Sequence, residues 1–138
     1  MIYIIDGAKG TGKTKKIIDK ANASLSESKG DTVFLATTTR YRMEIKSQIK
    51  FVDTVSEGIN TKELLFGFIK GMIAANYDIE YIFIDGVYKM MGVEIDSSEM
   101  AELFMLLDKL GKANPSVHFV LTISCDRDKL PGFISKYL

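Results

Sequence analysis

The amino-acid sequence predicts an α/β fold: a three-layer sandwich in which a mostly parallel sheet of four to five strands carries helices on both faces. Two observations predict it. Short β-rich runs alternate with amphipathic helical stretches along the whole chain, as strand–helix–strand units of a parallel sheet do. The runs are also apolar at consecutive positions, as in Tyr81-Ile82-Phe83-Ile84, which suits strands covered on both faces. Nothing divides the chain. It has 138 residues, two prolines, no repeat and no low-complexity linker, and roughly 100–200 residues make one domain. Residues 1–138 therefore read as a single domain.

Each element has its own signal. Ile2-Tyr3-Ile4-Ile5 is a compact run of β-branched and aromatic residues and reads as a central strand. From Thr14 the period becomes helical: Ile17, Ile18, Ala21 and Leu25 share one face, Lys15, Lys16, Asp19 and Lys20 the other, and the segment stops near Gly30. Thr32 to Thr37 is the second strand. Residues 41–49 suggest a weaker helix, and Phe51-Val52 a very short strand. Asn60-Thr61-Lys62-Glu63 reads as a capping box that opens a helix to about Ala75, with Leu64, Leu65, Phe68, Ile69, Met72 and Ile73 as its core stripe. Ile79 to Ile84 is the third strong strand. Asp96 with Glu99 reads as another capping box, opening a helix that carries Met100, Leu103, Phe104, Leu107 and Leu110, with Gly111 as its stop. Val117 to Ile123 is the fourth strong strand, and the tail after Pro131 suggests one or two helical turns.

Composition removes several classes of function. Eighteen basic and eighteen acidic side chains cancel, so bulk electrostatic attraction to nucleic acid is not indicated. The one cysteine, Cys125, permits neither an internal disulfide nor a cysteine-based zinc site. The run from Met1 to Asp6 has no basic segment and no long apolar stretch, and no window approaches the ~18 apolar residues of a membrane span. The expectation is a cytoplasmic protein that does not enter the membrane.

In a parallel sheet with right-handed crossovers, ligands bind beyond the C-terminal strand ends, so the residues after each strand matter most. After the first strand comes Gly7-Ala8-Lys9-Gly10-Thr11-Gly12-Lys13-Thr14, which fits GxxxxGK[ST] in full. Glycines let such a loop curl so that successive backbone N–H groups point inward at an anion, and the following helix adds its N-terminal amides and dipole. Lys13 would reach the β- and γ-phosphates of a nucleotide, and the Thr14 hydroxyl would ligate Mg²⁺.

With the strand before and the helix after, residues 1–25 resemble P-loop NTPases. That superfamily pairs the loop with an apolar strand ending in aspartate, and Tyr81-Ile82-Phe83-Ile84-Asp85 supplies it. The resemblance implies that Asp85 joins Thr14 in holding Mg²⁺ and its waters. Neither Asp85-Gly86-Val87-Tyr88 nor Ser124-Cys125-Asp126-Arg127-Asp128 matches the G-protein patterns, so ATP is expected over GTP. The loop is similar to that of the ATPase branch that inserts a strand between the loop strand and the aspartate strand. In that branch the strand after the aspartate strand ends in a polar γ-phosphate sensor, for which Thr122 is the first candidate and Ser124 the second. As a whole the chain resembles short uncharacterised bacterial P-loop ATP-binding proteins.

The chain also departs from that pattern. Many such ATPases carry a glutamate base directly after the aspartate, where this chain has Gly86, and the second strand ends in Thr37, Thr38 and Thr39 rather than an acid. Asp6, Glu94 and Asp126 read as structural carboxylates. The only arginines are Arg40, Arg42 and Arg127, of which Arg40 falls just past the second strand. His118, alone in an apolar strand, reads as a satisfied packing residue, and Cys125 as a semi-buried small one. Tyr41, Tyr77, Tyr81 and Tyr88 serve either adenine stacking or packing. Phe66 and the Met90-Met91-Gly92-Val93 stretch suggest apolar surface for a protein partner or a homodimer. Three functions fit: a weak ATPase or nucleotide-dependent switch working with a partner, a small phosphotransferase, or an ATP-binding interaction module without turnover.

Overall fold

A computed structural model describes all 138 residues. Five strands, β1 (Ile2–Gly7), β2 (Asp31–Ala36), β3 (Lys50–Asp53), β4 (Ile79–Ile84) and β5 (His118–Ser124), form one sheet in the order β1-β5-β4-β2-β3. Every neighbouring pair is parallel. Helix α1 (Lys13–Glu27) packs on one face. Helices α2 (Lys62–Ala75), α3 (Val87–Met91), α4 (Ser98–Ala113) and the short α5 (Gly132–Ser135) pack on the other.

The two faces are unequal. On the side of α2 and α4, Leu65, Ile69, Leu103, Phe104 and Leu107 close over Val33, Leu35, Ile82, Ile84, Phe119 and Leu121 in the larger core. On the side of α1, Ile17, Ile18 and Ala21 meet Phe34, Phe83 and Val120 in a smaller one. The alternation of side chains along each strand sorts the residues between the two layers, and burial on both sides accounts for the unbroken apolar runs.

Four expectations need correction. Residues 41–49 are not an α-helix: a single 3₁₀ turn covers Arg42–Glu44. The Asn22 side chain of α1 donates to the Glu44 carbonyl and accepts from the Lys46 N–H, each at close to 3 Å, so groups that a helix would bond internally are tied to α1 instead. Both capping positions sit one residue later than the boxes imply. Thr61 accepts from the Leu64 N–H and Ser97 from the Met100 N–H; in each case a hydroxyl residue follows the amide or acid and takes the cap. Gly111 does not stop α4, which runs to Ala113; Gly111 is buried, and Phe119 lies close to where a side chain would start. Finally, β1 is an edge strand pairing β5 alone, with Tyr3 44% exposed.

The apolar surface expected around Phe66 and Met90-Met91 is largely absent. Met90 and Met91 are buried on α3 and Phe66 is half-buried against the larger core. In α2 it is Leu64, expected in the core stripe, that is half exposed. No helix is long and apolar enough to cross a membrane.

Candidate functional site

The loop between β1 and α1 is built by its glycines. Gly7, Gly10 and Gly12 all have φ between 84° and 142°, where side chains with a Cβ are strained. Gly7 is the most constrained, because a Cβ there would lie 2.6 Å from the Thr11 hydroxyl oxygen. Thr11 in turn donates to the Ala8 carbonyl at 2.7 Å, closing the loop on itself. Gly12 caps α1 in the left-handed conformation without a side-chain hydrogen bond, so the first amides of α1 stay available to a ligand.

Lys13 is 7% exposed and its ammonium donates to the Ala8 carbonyl at 2.9 Å, beneath the loop. Burial lowers its pKa first, the charge of Lys89 adds to the fall, and Asp85 opposes it. An arriving polyphosphate would supply the counter-charge that this lysine lacks.

Strand register assembles the rest. Ile84 pairs with Leu121, so the next residues, Asp85 and Thr122, stand side by side on neighbouring strands. Both continue the rows that face α1, after Phe83 and Val120. The Thr122 hydroxyl donates to Asp85 Oδ1 at 2.6 Å and accepts from the Gly86 N–H at 2.9 Å. The Thr14 hydroxyl, from the first turn of α1, donates to Asp85 Oδ2 at 3.3 Å. Thr14, Asp85 and Thr122 thus converge from three elements. One carboxylate oxygen is held by Thr122, and the other faces Thr14.

That donor set suits Mg²⁺. The ion takes a hydroxyl, one carboxylate and several waters or phosphate oxygens more readily than an all-protein cage, and nowhere do three or more His, Cys, Asp or Glu side chains gather. The cavity above these residues measures about 670 Å³, within the range of small-molecule sites. Five cations, Lys9, Lys13, Lys15, Arg40 and Lys89, line it against two carboxylates, Glu44 and Asp85. A chain with no net charge therefore concentrates positive charge here.

Among the other residues singled out from the sequence, Arg40 and Tyr41 reach the cavity, and the Arg40 guanidinium lies over the Tyr41 ring at 5.3 Å. Ser124 lines it as well. Tyr77 points into solvent, Tyr81 stacks in the sheet's aromatic row, and the Tyr88 hydroxyl donates to the Ser124 carbonyl. Asp6 forms a bidentate pair with Arg127 at 2.9–3.0 Å, which holds its carboxyl below the usual range. Asp6 is structural, and Arg127 is committed to it. Lys89 was missed. It sits on α3, a five-residue helix that starts from a left-handed Gly86, and no periodicity announces so short an element.

The all-parallel sheet, the glycine loop after β1 and the strand inserted between β1 and β4 define the P-loop NTPase fold. Solved structures share it. The KaiC-like protein PH0186 from Pyrococcus horikoshii OT3 superposes with a TM-score of 0.63 at 17% identity, over 99% of this chain and 68% of that one. The flagellar accessory protein FlaH from Methanocaldococcus jannaschii gives 0.60 at 11% identity, over 98% of this chain and 65% of that one. The chain thus spans about two thirds of the length of these structures, and at such identities the likeness is one of fold. No family model and no curated protein matches the sequence.

Proposed function

We propose that this chain binds Mg·ATP in the loop at residues 7–14 and works as a weak ATPase or nucleotide-dependent switch together with a partner. The observation that carries this reading is the convergence of Thr14 and Asp85 at 3.3 Å beside a buried Lys13. In the proposal, the loop amides and Lys13 hold the phosphates, with Gly7, Ala8, Lys9, Gly10, Thr11 and Gly12 shaping the cradle. Thr14 and Asp85 would hold Mg²⁺, which when bound would supply positive charge to the phosphate oxygens. Thr122, proposed from sequence as a γ-phosphate sensor, would act through the carboxylate to which its proton is already directed. The absence of the G-protein guanine-reading pattern favours ATP over GTP. A small phosphotransferase is the second reading, favoured by a recess that adjoins the nucleotide cavity.

Thermal melts test the central claim. At a hundredfold excess over its dissociation constant, Mg·ATP stabilises the folded state by about 2.7 kcal/mol. The expected result is a clear upward shift, larger for ATP than for AMP and nearly abolished in Lys13→Ala. Asp85→Asn keeps the fold and weakens the Mg²⁺ dependence of that shift. Folded protein that shows no shift with any nucleoside triphosphate refutes the reading.

A further inference from the structure

Beside the nucleotide cavity lies a smaller recess of about 270 Å³. Its walls are Thr37 after β2, the turn from Thr54 to Asn60 after β3, and Lys89 with Met90 on α3. Thr37 and Lys89 line both spaces. The shared wall stands on the Asp85 side of the nucleotide cavity, because the Asp85 N–H donates to the carbonyl of Leu35, two residues before Thr37.

The turn that forms the far wall is pinned in place. The Thr54 N–H donates to the Ala36 carbonyl and the Ile59 N–H to the Thr54 carbonyl, each at 2.9 Å, while Gly58 makes the reversal at φ 69°. Ile59 and Met90 are buried beneath. The polar residues of the lining are Thr37, Thr54, Asn60 and Lys89, with no carboxylate and no histidine. Thr54 gives its proton to the Ala36 carbonyl. Lys89 enters none of the chain's ion pairs, and its charge reaches Lys13 across the shared wall.

This lining limits what can react there. A neutral alcohol attacking phosphorus must lose a proton, and the recess offers no group to take it. A carboxylate or a phosphate monoester arrives already deprotonated and needs a cation to offset its repulsion from the nucleotide. We propose that the recess is a subsite for a small oxyanion acceptor, held by Lys89 and directed at the terminal phosphate of a nucleotide in the neighbouring cavity. An acceptor oxygen forms the new P–O bond as the bond from the γ-phosphorus to the β–γ bridging oxygen breaks. The electron pair leaves on the diphosphate, and no proton moves. The inference rests on the Mg·ATP reading of the larger cavity.

The test is made at the site rather than through turnover. The full-length ¹⁵N-labelled chain is loaded with Mg²⁺ and β,γ-imido-ATP, then titrated with inorganic phosphate, with acetate and with glycerol while backbone amide shifts are followed. Phosphate or acetate should give saturable shifts at Thr37, Gly58, Asn60 and Lys89, and glycerol none; the tighter of the two anions identifies the acceptor class. Lys89→Gln should bind that anion roughly tenfold more weakly, as expected for loss of a charge-assisted hydrogen bond, and Lys89→Arg should retain it. The amide spectrum of each variant checks its fold. Absence of saturable shifts for both anions, equal affinity in Lys89→Gln, or equal shifts with glycerol overturns the proposal. If imido-ATP binds and the anions do not, only the recess is refuted; if imido-ATP itself does not bind, the reading of the larger cavity falls too.

Discussion

A hydroxyl can donate once and accept twice, and Thr122 uses both abilities on two successive residues: it donates to Asp85 and accepts from the Gly86 N–H. A neutral donor of this kind orients a carboxylate without cancelling its charge, as the proposed Mg²⁺ site would need. His118 makes the opposite case. Its ring lies between Tyr3 and Tyr81, 5.9 and 5.1 Å away, yet Nδ1 is buried without a hydrogen-bond partner. The packing role expected from sequence is present, and the satisfaction is not. Burial, followed by the nearby N-terminal charge, lowers the pKa from its usual 6.5, with Glu80 opposing. The unfolded chain therefore binds a proton at higher pH than the folded one. Stability is full above 6.5 and falls as pH drops toward the lowered folded value. His118→Phe should remove that slope and, by replacing an unsatisfied polar atom with a ring carbon, stabilise the protein more at pH 5 than at pH 8. Denaturant titrations at the two values check this; an unchanged slope refutes it. The glycine loop was legible in sequence because a positive φ is written directly as glycine. The orphaned Nδ1 was not, since it depends on what the tertiary packing withholds.

The starts of α1, α2 and α4 were legible to within a residue, and the slips at α2 and α4 have one cause. Asn60 and Asp96 each precede a hydroxyl residue, and the sequence pattern alone scores both as caps. The structure chooses Thr61 and Ser97. Replacing either with alanine leaves an amide of the first turn unpaired at a cost of about 1 kcal/mol, a fall of about 3 °C in melting temperature for a chain of this size. Asn60→Ala and Asp96→Ala should cost little by comparison. Thermal melts of the four variants distinguish the assignments, and equal losses at Asn60 and Thr61 would restore the earlier box. Residues 41–49 failed for a different reason. Ile45 and Ile49 are buried four residues apart, the spacing of a helix face, but Asn22 takes backbone groups on either side of Ile45. A periodicity scan has no access to a side chain more than twenty residues away.

That the sheet is parallel and covered by helices on both faces was readable from the alternation of strand and helix; the position of β1 at an edge was not, since its residues are as apolar as those of a central strand. That topology gathers cations at the strand ends, with Arg40 and Glu44 in the cavity lining but no carboxylate at the position directly after Asp85. Gly86 occupies the place of the usual glutamate, Arg127 is held by Asp6, and Arg40 stacks on Tyr41. Phosphoryl transfer depends on placed charge, and a supplied arginine alone is worth roughly 10³–10⁵ in rate in known switches, about 1.4 kcal/mol of barrier for each factor of ten. Hydrolysis by the isolated chain at saturating Mg·ATP should therefore stay well below about one turnover per second, the low end of ordinary enzymes. In the proposed switch, a partner would approach the cavity lined by Arg40, Tyr41 and Lys89 rather than an apolar patch on α3, where Met90 and Met91 are buried. Phosphate release measured on purified protein decides the matter. A steady rate of tens per second, lost in Lys13→Ala, would mean that the chain carries a complete catalytic set and needs no partner.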